Sequence, residues 1–121
     1  MNNKENELYR IVDYVVSCCA TRVDDSGRMS VTREDVLGRS RSENVVMTRC
    51  ILVNQIIGAG YSTTTAAQLL KRTPHAIRHL LDVGNQYEHT SRAYRIANAE
   101  ATLKCKEISA NGSAPTLFSG L

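Results

Sequence analysis

A proline at position 74, directly after a threonine and two residues after the pair Lys71-Arg72, divides the stretch TTTAAQLLKRTPHAIRHLL into two helical patterns. They cannot be one helix. Inside a helix, proline removes a backbone donor and clashes with the preceding turn. At the first helical position its missing N–H is one that stays unpaired anyway. Thr73 is a residue type that caps a helix start, so the second pattern begins at Pro74. Upstream, Ser62 or Thr63 can cap a first helix whose inner side carries Ala66, Ala67 and Leu70. The spacing therefore predicts a short helix, a tight turn and a second helix over about residues 62–86, a helix-turn-helix.

The second helix has two distinct faces. Ile77, Leu80, Leu81 and Gly84 fall together at i, i+3, i+4, i+7, and His75, Arg78, His79 and Asp82 share the opposite face. An apolar inner side and a basic, imidazole-bearing outer side suit a helix whose N-terminal part enters the major groove of DNA. Free amides and a partial positive charge at that end favour phosphate. Arg72 and Arg78 are accordingly expected to act on DNA without supporting the fold.

The rest of the chain repeats the helical signal. Leu8, Ile11, Val12, Val15, Val16 and Cys19 mark a first amphipathic helix, followed by the polar connection TRVDDSGRMS with Gly27 as breaker. Thr32 and Asp35 have the spacing of a capping box at the start of a short helix that stops at Gly38. GRSRSEN is a basic loop. A longer helix runs from about Asn44 to Ile57, with Val46, Arg49, Cys50, Val53, Ile56 and Ile57 along one stripe, until GAG at 58–60 breaks it. A last helix spans roughly Ser91 to Ile108. No segment alternates as a strand does, so the fold class is all-α. The expected organisation is one helical domain over 1–108 and a disordered tail over 109–121.

Composition agrees with helices. The chain has 121 residues, 42% apolar and only 5% aromatic with no Trp, so the core must come from Leu, Ile, Val and Ala. A chain of that length buries roughly 65% of its unfolded surface and forms one domain. The N-terminal MNNKENELYR lacks the apolar run of a signal peptide, and no stretch is apolar for the length of a membrane span. Of the four cysteines, Cys18 and Cys19 are adjacent while Cys50 and Cys105 stand alone, and none has zinc-site spacing. Buried thiols in a reducing cytoplasm are the expectation.

Charge is unevenly distributed. Between Gly38 and Leu80 the basic residues Arg39, Arg41, Arg49, Lys71, Arg72 and Arg78 face the single acid Glu43, a net of +5 against +3 for the chain. The remainder is net acidic. A concentrated basic patch is the footprint of phosphate neutralisation.

DVLGRSRSENVVMTRCILVNQII, followed by YSTTTAAQLLKRTPHAIRHLL, resembles the C-terminal, origin-binding domain of the bacterial replication initiator DnaA. In that family a short Asp-Leu/Val-Leu helix precedes a basic loop with Arg, an apolar residue four on and Arg four further on. Arg41, Val45 and Arg49 match this spacing, and Arg39 fits the preceding basic residue. The family's helix-turn-helix ends in a signature similar to Gly-Gly-Arg-Asp-His-Thr-Thr-Val-x-His, to which Arg72, Ile77 and His79 correspond. The similarity covers about Glu34 to Tyr87. Leu70 and Lys71 replace the two glycines, and Thr73, Pro74, His75 and Ala76 replace the Asp-His-Thr-Thr run. The resemblance implies a stand-alone relative with altered or relaxed sequence preference. In it, Arg49 would enter the minor groove and Arg72 would read the major groove.

The DNA-facing set is therefore Arg39, Arg41, Arg49, Thr63, Lys71, Arg72, Thr73, His75, Ala76, Arg78 and His79, on double-stranded DNA in the nucleoid, in replication or transcription control. No G-x-x-x-x-G-K-[ST] loop is present, and the initiator's ATPase chemistry does not follow. His75 and His79 lack the Glu of a metalloprotease helix, and cysteines on apolar stripes are inert. No enzyme activity, cofactor or metal is expected. The competing reading is a protein-interaction module whose basic face meets an acidic partner.

Overall fold

The computed structural model describes residues 3–20 and 31–106. Six helices and no strand occur among them: α1 (Asn3–Ala20), α2 (Arg33–Leu37), α3 (Glu43–Gly58), α4 (Thr63–Leu70), α5 (Pro74–Thr90) and α6 (Arg92–Cys105). The chain is all-α, as its periodicity predicts. The connection at 21–30 and the expected tail at 109–121 lie outside the described residues.

Local chemistry sets most of the helix starts. Thr32 and Asp35 form a capping box: the Asp35 N–H donates to Thr32 Oγ1 and the Thr32 N–H donates to Asp35 Oδ2, each at 3.1 Å. Ser62 Oγ accepts from the Thr65 N–H, Thr73 Oγ1 from that of Ala76 and Ser91 Oγ from that of Tyr94. Ser62 is therefore the cap of α4, and Thr63 is its first helical residue.

α3 is the axis of the molecule and touches each of the other five helices. Its sequence suggests one apolar stripe, but every residue from Thr48 to Val53 is buried, so it is covered on all sides. Val46 and Ile57, at the edges of that stripe, are only partly buried. α1 and α6 pack against each other and against α3, while α5 lies on α3 with α4 beside it. Leu8, Ile11, Val12 and Val15 of α1 and Ala97 and Ala101 of α6 complete the core. All four cysteines are buried there. Tyr94 of α6 is 1% exposed and its hydroxyl accepts from Asn54 Nδ2 of α3 at 3.0 Å.

Among the described residues no helix is long and apolar enough to cross a membrane.

Candidate DNA-binding surface

α4 and α5 are joined by three residues, Lys71, Arg72 and Thr73. Lys71 has φ 55° and ψ 47°, the left-handed conformation that glycine adopts most readily. Its N–H donates to the Gln68 carbonyl at 3.3 Å, and the Arg72 N–H reaches back to that of Ala67 at 2.9 Å. This is a Schellman ending to α4, formed without glycine. Thr73 then leaves the turn in extended backbone and caps α5, with Pro74 at its first turn.

α5 shows the two faces that its spacing predicts. Ile77 is fully buried, Gly84 is buried, and Leu80 and Leu81 pack against the core. His75, Arg78 and His79 are exposed and line a shallow depression with Leu81 and Asp82. Lys71 and Thr73 are also exposed, while Thr63 and Ala76 are half-buried. Of these two, Ala76 contributes its N–H to the cap.

In the basic loop, Arg39 and Arg41 are exposed. Arg49 is not available to a groove. It is 3% exposed, and its guanidinium donates four hydrogen bonds to backbone carbonyls. Nε reaches Val36 O at 2.9 Å and Nη1 reaches Ser40 O at 2.6 Å. Nη2 reaches Asp35 O and Gly38 O, both at 2.9 Å. A five-residue helix such as α2 leaves its terminal carbonyls without intrahelical partners, and Arg49 supplies them. The expectation that Arg49 enters a minor groove is corrected by this geometry: its donors are committed to the interior. Burial lowers its pKa, with the nearby Arg72 charge adding to the effect and Asp35 opposing it.

Arg72 also supports the fold, contrary to expectation. It is half-buried, with Nη1 donating to Leu70 O at 2.8 Å and Nη2 to Gly38 O at 3.2 Å. The second bond spans thirty-four positions of sequence and joins the turn of the helix-turn-helix to the basic loop. Nothing in the local pattern of either segment announces Gly38 as a shared acceptor. Only the tertiary packing does so.

The tertiary structure thus defines a helical domain in which two helices joined by a tight turn expose His75, Arg78 and His79 on the second helix, and in which the turn is hydrogen-bonded to the loop bearing Arg39 and Arg41. No family model matches the chain, and neither a curated protein nor a solved structure is similar to it at a significant level.

Proposed function

We propose that the protein binds double-stranded DNA, with α5 directed at the major groove and the loop bearing Arg39 and Arg41 on the adjacent backbone. The observation that carries this reading is the Arg72–Gly38 hydrogen bond, which brings the two basic segments of the sequence side by side. Arg39, Arg41, Lys71, Arg78, His75 and His79 are exposed around that junction and along α5, and Arg72 is half-exposed. With two of its five N–H groups used internally, the Arg72 guanidinium keeps others for a phosphate or a base edge.

The resemblance to the DnaA C-terminal domain points the same way, towards replication or transcription control at the nucleoid. Arg49 keeps its matching position with a structural duty in place of a DNA contact. Neither nucleotide nor metal enters this reading.

Mobility shift of a random duplex at low salt tests it. Binding at micromolar protein is expected, with log K falling against log salt at a slope of about −4.5 to −5.5 for five or six phosphates. Absence of any shift would overturn the reading in favour of an acidic protein partner for the same face.

A further inference from the structure

We propose that Arg49 and Arg72 form a latch on one carbonyl, Gly38 O, that holds the basic loop in fixed register with the helix-turn-helix, so that the two segments engage DNA as one rigid unit. The inference rests on the DNA-binding reading and assigns a role within it: Arg49 is a positioning residue that never touches DNA, and Arg72 both positions and contacts.

The geometry is specific. Two guanidinium groups, one from α3 and one from the turn between α4 and α5, converge on Gly38 O, at 2.9 Å from Arg49 and 3.2 Å from Arg72. Arg49 anchors the loop on the core side through Asp35, Val36 and Ser40. Arg72 anchors it on the DNA side through the end of α4. Of the cations proposed to meet DNA, Arg39 lies between the anchored carbonyls of Gly38 and Ser40, and Arg41 directly follows Ser40. Gly38 itself is confined: a Cβ there would sit 2.7 Å from the backbone oxygen of Glu34. A side chain at position 38 would therefore force the loop away from α2. Two like charges held side by side is a costly arrangement, and it is offset by the fan of carbonyl dipoles around them.

A loop held in this way loses little freedom when DNA binds, which strengthens each contact it makes. A double-mutant cycle reads that coupling directly. Arg39 is exposed and Arg72 half-exposed, so Arg39→Ala and Arg72→Gln are variants that keep the core intact. In the parent, Arg39→Ala is expected to weaken binding to a random duplex about tenfold, the scale of one charge-assisted contact, and to lower the salt slope by about 1. In the Arg72→Gln background the loop is released on the DNA side. The same Arg39→Ala change is then expected to cost less than about threefold, with under half of the slope change.

Equal fold-changes in the two backgrounds would overturn the latch while leaving DNA binding standing. A parent protein that does not bind duplex at all would overturn the DNA-binding reading, and the latch with it. Gly38→Ala adds a probe that changes no charge. Provided its far-ultraviolet spectrum matches the parent's, it is expected to reproduce the weakened Arg39 contribution, and parent-like coupling in it would count against the latch.

Discussion

Arg49 illustrates how one residue type can carry opposite meanings. In a +5 segment an arginine reads as a DNA contact, and by spacing it also matches a DNA-contacting family position. Within the fold it supplies most of the partners for the C-terminal carbonyls of α2. An arginine can do this where a lysine cannot, because its planar fork offers five donors in fixed directions and stays charged when buried. Removing it leaves the buried Val36 carbonyl and the part-buried Ser40 carbonyl without that partner, while Asp35 O keeps only its bond from the Gly38 N–H. Arg49→Ala is expected to destabilise the fold by about 3 kcal/mol or more, since each buried unpaired acceptor costs about 1–3 kcal/mol. Arg41→Ala, at an exposed position, is expected to change stability by less than about 0.5 kcal/mol. Thermal melts of the two variants check this contrast, and equal melting temperatures would sink it.

At the scale of elements, the packing of α5 on α3 and α6 turns on Gly84. A glycine in a helix interior ordinarily costs about 1 kcal/mol relative to alanine, so its presence in the middle of α5 calls for a reason. The reason is clearance. A Cβ at position 84 would lie 2.7 Å from the Tyr94 hydroxyl and 3.3 Å from Cys50 Cβ. Tyr94 cannot swing aside: it is 1% exposed, accepts from Asn54, and stacks on Tyr87 with ring centroids 5.6 Å apart. Overpacking costs typically 1–3 kcal/mol, which exceeds or cancels the propensity gain. Gly84→Ala is expected to lower stability by about 1 kcal/mol net, measured by urea unfolding. A stabilised variant would mean that α5 and α6 part more easily than their contacts suggest.

For the molecule as a whole, buried thiols and a phenol shape the response to alkaline pH. Burial pushes the Cys50 thiol up to about 12 and the Cys105 thiol up to about 11, from an ordinary 9.0. Tyr61 is raised to about 12, first by burial and then by its hydrogen bond to Glu7. Each of these groups holds its proton more tightly folded than unfolded. Their contribution is therefore complete below about pH 9 and is lost as pH rises towards 11–12. The melting temperature is expected to be level between about pH 7 and 8.5 and to fall steadily above about pH 9.5. Reaction of the Cys50 thiol with an alkylating agent is expected to track unfolding, because the side chain is fully buried. Rapid alkylation of Cys50 at neutral pH in the folded protein would contradict this.

Sequence by itself determined the all-α class, the capped starts of α2 and α5, the placement of Pro74 and the two faces of α5. Each of these depends on neighbours within about four residues, where cap chemistry and helical periodicity act. Three features were decided only by tertiary structure. α3 is buried on every side because five helices surround it, which no stripe within its own sequence encodes. Lys71 takes a left-handed turn without glycine because the bonds back to Ala67 and Gln68, together with the packing of α4 against α5, hold it there. Arg49 turns inward because carbonyls 9 to 14 positions before it converge on its side chain. A guanidinium satisfied at that range is indistinguishable, in sequence, from one exposed to solvent, since what separates them is the position of distant backbone oxygens.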